Sequence, residues 1–381
     1  MKSNYKRLGD YIRQVDVRNR DLAVTDLLGV NLNKEFIPSV ANTIGTDMSN
    51  YKLVSYNQFG CKLMSVERDG KMPVSLYKKD IPSLISSAYY VFEVTNENIL
   101  SPDYLFMWIK RPEFDRQLWF SSGGDVRGGT SWENLCNMPL FLPSIEEQRK
   151  IVAEYQAIER RIENNRRLIA KLEKTAQIIY RNMFVDNIDP ENLPQGWRMS
   201  TIGEFCKETK SGGTPSRNNP NYWNKNEIRW LKSGEVSNNV IFDTEEFISI
   251  EGLKGSSAKI IPSGSVIMAM YGATASQVAF LACDASTNQA CCNMITNTFE
   301  EAAYLYYHCL FNQEEIKRLA NGGAQENLSQ ELITRQSLLI PIISKMKPFA
   351  KIFDTKISYE HEIFHLNKLL SLLLTKLSKL N

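Results

Sequence analysis

Between Pro143 and Met183 the apolar residues fall on Ile151, Tyr155, Ile158, Ile162, Ile169, Leu172, Ala176, Ile179 and Met183. They step alternately by four and three, and Asn165 fills the one remaining position of the stripe. So narrow a stripe is a heptad seam, which asks for one partner helix rather than a broad core. Ser144 followed three residues later by Glu147 forms a capping box, so a long helix is predicted to begin there. The same step returns near the C-terminus through Ile352, Tyr359, Ile363, Leu366, Leu370, Leu373, Leu377 and Leu380, with Lys356 the only polar intruder. Two such helices in one chain are predicted to pair antiparallel.

What precedes each helix is also repeated. Pro143 closes Leu-Phe-Leu-Pro and Pro341 closes Leu-Leu-Ile-Pro; Leu8-Gly9-Asp10 returns as Ile202-Gly203-Glu204, and Gly123-Gly124 as Gly322-Gly323. The predicted plan is globule, helix, globule, helix. Residues 1–142 form a first domain, 143–189 a central helix and linker, 190–340 a second domain, and 341–381 a C-terminal helix. Both globules mix strand-like and helical patterns, which makes the fold class α+β. Strands are expected at 51–54, 61–64, 88–94 and, around a turn, within 266–283. Ser101-Pro102 reads as a helix cap and first-turn proline, opening a helix through Leu105, Ile109 and Leu118 to Gly123-Gly124. A matching helix is expected from Glu300 to Ala320, ending at Gly322-Gly323.

Composition narrows the partners. The 381 residues are 43% hydrophobic and 23% charged, as in globular proteins. Neither a signal peptide nor a membrane span is expected. Seven cysteines without a CxxC pair favour neither disulfides nor a zinc ribbon, and point to a reducing cytoplasm. Lys+Arg against Asp+Glu runs 17 to 16 in residues 1–142, 12 to 16 in 190–340 and 7 to 3 in 341–381. No globule is basic as a whole, so phosphates would have to meet local patches. The clearest patch runs from Lys207 to Lys232, with six basic residues against two acidic ones. There Gly212-Gly213 would let backbone amides approach a ligand, and Tyr222, Trp223 and Trp230 offer aromatic faces.

Three enzyme-like motifs fail on their surroundings. His361-Glu-Ile-Phe-His365 matches HExxH, but its flanking leucines are needed for helix pairing and no downstream third ligand follows, so no metal centre is expected. Asn219-Pro-Asn-Tyr222 is similar to the adenine-holding loop of amino-methyltransferases, but no GxG loop follows a strand to hold S-adenosylmethionine. Gly123 to Gly129 lacks the lysine and spacing of a phosphate loop.

The order of several phrases carries a resemblance. Gly-Gly-Thr-Pro-Ser216, Tyr222-Trp223, Lys232-Ser-Gly-Glu-Val236, Tyr271-Gly-Ala-Thr, Asn288-Gln-Ala-Cys291, Gln325-Glu-Asn-Leu-Ser329 and Leu142-Pro-Ser-Ile-Glu-Glu-Gln148 resemble the specificity (S) subunits of Type I restriction-modification systems. The resemblance spans essentially the whole chain. It implies two target recognition domains separated by paired helices in a pseudo-two-fold repeat, each reading one part of a split DNA site. It further implies a non-catalytic chain that binds no cofactor, docked to two methyltransferase (M) subunits and to restriction (R) subunits. S-adenosylmethionine, ATP and Mg would belong to those partners. A helix of some 41 residues at ~1.5 Å per residue is roughly 60 Å long, between one and two turns of duplex at ~34 Å each. The alternative is a coiled-coil interaction scaffold without DNA readout. Lys or Arg suits guanine, Asn or Gln suits adenine, and small hydroxyls and tyrosines fix phosphates. On residue type and motif, the expected DNA contacts are Lys210, Thr214, Ser216, Arg217, Lys232 and Ser233, then Tyr271, Asn288 and Gln325. In the first domain they are Gln58, Arg68, Lys71 and Arg127. Asn288 is also suited to closing a turn, and Tyr271 to a core.

Overall fold

The computed structural model describes residues 5–39, 45–121, 130–320 and 327–378. It divides into two compact units, one of residues 1–161 with 367–381 and the other of residues 162–366. Each unit therefore takes a share of both long helices, which run Ile145–Arg181 and Ile343–Ser378.

In the first unit, Tyr5–Arg7 pairs antiparallel with Pro139–Phe141, the strand that feeds the first long helix. A four-stranded antiparallel sheet runs in the order Ile12–Val15, Tyr90–Val94, Phe59–Cys61, Val74–Leu76. A second sheet orders Phe36–Pro38, Leu27–Val30, Ser83–Ile85 and Lys52–Val54. The core centres on Phe59 and Phe92, stacked 4.7 Å apart, with Leu105, Trp108 and Phe114. Ser101 caps the helix Pro102–Lys110 by accepting the Tyr104 amide. The expected single helix is in fact two, because Pro112 pushes Arg111 into an extended conformation before Pro112–Ser121 begins. Only Cys61 of the expected strand 61–64 lies in the ladder.

The first long helix opens with the Ser144 hydroxyl accepting the Glu147 amide. Gln148, fully buried, ties this turn to the globule: its side chain accepts from the Ser101 amide and donates to the carbonyls of Ile99 and Pro143, each at 2.9 Å. At the matching place in the second long helix stands Met346, buried in an apolar cluster, so the repeat keeps the packing and discards the polar clamp. Val152 and Tyr155 share their core with Leu377, near the opposite end of the other helix.

The second unit repeats the opening pair, with Arg198–Thr201 antiparallel to Ser337–Ile340. Its five-stranded sheet runs Glu208–Ser211, Cys291–Ile295, Val266–Ala269, Val278–Leu281, Asn239–Ile241, the last pair parallel. A three-stranded sheet orders Glu246–Ile248, Ile228–Leu231 and Ser286–Thr287. The helix expected at 300–320 breaks at Asn312 into Phe299–Phe311 and Gln313–Arg318. Tyr304, Tyr306 and Tyr307 of the first piece are buried against Phe349 and Phe353 of the second long helix.

Contacts between the long helices fix their direction. Asn165 donates to Glu362 at 2.9 Å, Glu173 meets Lys356 at 3.0 Å, and Tyr180 lies against Phe349. One series ascends while the other descends, so the pair is antiparallel. Both polar intruders of the seam are fully buried and reach across to a carboxylate of the opposite helix. Pro348 lies inside the second helix, in its second turn. Among the described residues no helix is long and apolar enough to cross a membrane.

Candidate nucleic-acid interface

The stretch after the strand Glu208–Ser211 is shaped first by packing. Gly212 and Gly213 are buried, and a Cβ on Gly212 would overlap the carbonyl oxygens of Thr287 and Asn288. A Cβ on Gly213 would overlap the backbone of Ser257 and Ala258. The Gly213 amide donates to the Thr287 carbonyl at 2.8 Å, and its carbonyl accepts from the Trp230 indole at 3.0 Å. The glycine pair thus admits the chain's own backbone, not a ligand as the sequence reading had it. Beyond it, the side chains of Thr214 and Gln289 are hydrogen-bonded.

The chain then presents Arg217. Its guanidinium lies 3.5 Å from the ring centroid of Trp223 and 5.1 Å from that of Trp230, and the two indoles meet edge-on. Trp223 is anchored by donating to the Ser216 carbonyl. Asn219 accepts the Asn221 amide and closes the turn through Tyr222, which accounts for the Asn-Pro-Asn-Tyr phrase without a bound base. Arg217 also pairs with Glu246 at 2.6 Å. Lys232 reaches the same carboxylate at 3.2 Å and Glu245 at 2.8 Å. Hydrogen bonding from Arg217, and then from Lys232, holds the Glu246 carboxyl below its usual range against the opposing effect of burial. Bonding to Glu245 and Glu246 raises Lys232.

Such half-exposed ion pairs contribute little to stability, about 0–1 kcal/mol. Both cations can therefore leave their carboxylates for another anion at small cost. An arginine laid on an indole keeps its orientation while doing so, since stacking contributes about 0.5–1 kcal/mol at an exposed site. Ser216, Arg217 and Lys232 are thus linked through Trp223 and Glu246, while Thr214 pairs with Gln289.

The remaining candidates have other surroundings. Lys210 pairs with Glu208 at 2.9 Å. The Ser233 carbonyl accepts from the Thr274 hydroxyl. Asn288 closes a turn through its side chain, which accepts the Ala290 amide. Tyr271 is 42% exposed, which excludes a core role, and lines a cleft with Asn327 and Leu328. In the first unit Gln58 donates to Glu93 and accepts the Ser55 amide, and Arg68 grips Asp69 with two hydrogen bonds. Lys71 is exposed beside a cleft lined by Lys34, Lys110 and Arg116, three cations that sequence reasoning missed. Lys34 is buried on Asp115 at 2.7 Å, and burial lowers its pKa despite that partner. Gln325 and Arg127 lie outside the described residues, as do Gly123-Gly124, Gly322-Gly323 and Leu380.

Along the helix seam, Tyr155, Ile162 and Leu377 are buried. Ile151, Ile158, Ile169, Leu172, Ile179, Ile352, Tyr359, Ile363, Leu366, Leu370 and Leu373 are partly covered. Off the seam, Leu168, Ile178, Leu369 and Leu372 are exposed, whereas Val152, Tyr180, Phe349 and Phe353 are buried.

The chain is similar to several known proteins. Residues 194–370 match the family described as the Type I restriction modification DNA specificity domain. The chain is 22% identical to the Type I restriction enzyme HindI specificity subunit of Haemophilus influenzae, with 97% of each chain covered. It is 23% identical to the EcoR124I/EcoR124II specificity subunit of Escherichia coli, over 71% of this chain and 66% of that one. Among solved structures, the Type I restriction-modification S subunit from M. genitalium shares the fold at a TM-score of 0.58 and 13% identity, covering 98% of this chain and 95% of the other.

Proposed function

The chain belongs to the family of Type I restriction-modification specificity subunits, and from that premise we propose that it reads an asymmetric, bipartite DNA site. Each unit reads one half, and the gap between halves is set by the shared helices. The chain performs no chemistry itself. Methylation at adenine and ATP-driven cleavage belong to the M and R subunits that it docks.

The observation that carries this reading is the cluster of Arg217, Trp223 and Lys232, backed by the buried Trp230, inside the matched region. Two cations are held there by exchangeable carboxylates, and one of them, Arg217, is stacked on an indole. Outside the few repeated phrases the two globules differ in sequence, which supports an asymmetric site.

Arg217→Ala is expected to weaken binding to the cognate duplex by about 1–3 kcal/mol and to relax selectivity in one half only. The measurement is fluorescence anisotropy over a salt series, using the cognate duplex and a shuffled one. Wild-type binding to both should weaken steeply as salt rises, because phosphate contacts release counterions. Salt-independent binding, or none to any duplex in the presence of M subunits, would favour the interaction scaffold instead.

A further inference from the structure

One motif is left unused by DNA reading: His361-Glu-Ile-Phe-His365, on the second long helix. We propose that His361 and His365 form a two-nitrogen binding site for a divalent transition metal that prefers tetragonal coordination, Cu(II) foremost. Both side chains are exposed on successive turns of the helix. Their Nε2 atoms are 2.9 Å apart, and the rings stand at 86° to each other with centroids separated by 4.3 Å.

That separation is the ordinary length of a hydrogen bond between two imidazoles, and it is also close to the span that one metal ion bridges. Two nitrogens each about 2.05 Å from one metal lie about 2.9 Å apart at a right angle, and about 3.3 Å apart at the tetrahedral angle. A modest rotation of the two exposed rings brings both nitrogens to adjacent positions on one ion at either spacing, so the choice among metals rests on intrinsic affinity. Copper stands highest in affinity among the divalent first-row ions. Phe242 packs 5.0 Å from the His361 ring and Phe364 5.4 Å from the His365 ring, so part of the cost of ordering the imidazoles is already met by the fold.

The site is not the hydrolytic zinc centre whose spacing it shares. Glu362 accepts a hydrogen bond from Asn165 on the opposite helix and is thereby drawn away as a base. Among the described residues no group of three or more His, Cys, Asp and Glu can hold a metal, so water completes the sphere. The sequence reading expected no metal centre here, and spacing along the chain does not reveal that the two Nε2 atoms face each other. In the metal-free state one ring donates to the other across the gap. On binding, the donating ring moves its N–H to Nδ1 through solvent, and both Nε2 lone pairs bind the ion.

The test uses the full chain without an affinity tag, titrated with copper(II) chloride in a weakly coordinating buffer. Calorimetry should give one site per chain, and electron paramagnetic resonance a tetragonal spectrum with two-nitrogen hyperfine structure. His361→Ala and His365→Ala should each lower affinity by about tenfold or more and remove the two-nitrogen signature, with the circular dichroism unchanged. Zinc chloride should bind more weakly than copper. Unchanged copper affinity in both variants, a spectrum without paired nitrogens, or no saturable binding would overturn the proposal. None of these readouts depends on DNA binding.

Discussion

Lys356→Ala is expected to destabilise the unit of residues 162–366 by about 3 kcal/mol, because it removes a fully buried cation and leaves Glu360, 16% exposed, and Glu173, 31% exposed, without it. The Lys356 ammonium is fully buried, at 2.6 Å from Glu360, 3.0 Å from Glu173, 3.0 Å from the Tyr306 hydroxyl and 3.2 Å from the Asn238 carbonyl. Burial alone would push its pKa down. Tyr306, Glu360 and Glu173 outweigh burial and hold it above the ordinary lysine value, so the charge persists in the fold. Glu360 also accepts the Val240 amide, so the cluster joins both long helices to the edge strand of the five-stranded sheet. Lys356→Met keeps the packing volume and isolates the charge; it should lose nearly as much. Combining it with Glu173→Gln and Glu360→Gln should recover a large part, because a burial cost is relieved when the whole group turns neutral. Urea unfolding followed by tryptophan fluorescence reads all three, and a loss below about 1 kcal/mol in Lys356→Ala would show that the cluster rehydrates rather than breaks.

The same unit should weaken sharply in mild acid through His308. Its ring is enclosed, and Nδ1 shares a hydrogen bond with the Tyr180 hydroxyl at 2.7 Å. Burial pushes the pKa of His308 down to about 4. A histidine depressed in the fold binds its proton more readily once unfolded. Stability is therefore fully present above the ordinary value near 6.5, and drains away as pH falls from there to about 4. The loss over that interval is roughly 3 kcal/mol. Carboxylates titrate in part of the same window, so the informative quantity is the difference between wild type and His308→Gln. That variant should start less stable at pH 7 and show a shallower decline. Parallel curves would mean that His308 is hydrated in the native state.

The helix pair was legible in the sequence because a heptad stripe is a local pattern and its period names its partner. Even its exceptions carried information: Asn165 and Lys356, the two polar positions on the stripe, are the two that reach a carboxylate across the pair. Helix ends were less legible. The expectation of one continuous helix after Ser101 ignored Pro112, whose constraint on Arg111 is itself a sequence rule.

The candidate site divides in the same way. Its aromatic and basic residues lie within one stretch and could be named from it. Glu246 could not, because strand pairing brings it opposite Trp230 and no spacing along the chain announces that register. Gly212-Gly213 shows a second kind of blindness. Close approach by a ligand and close approach by the chain's own carbonyls require the same residue, and only the fold shows which occurs.

The central claim is that the two units read DNA independently, and exchanging one of them tests it directly. Residues 1–142 would be replaced by the corresponding domain of another specificity subunit, and the product expressed with its M partner. Methylated adenines would then be mapped across the host genome by long-read sequencing. The account predicts one bipartite motif in which only one half has changed, with the other half and the gap preserved. A motif altered in both halves, or in its spacing, would contradict it.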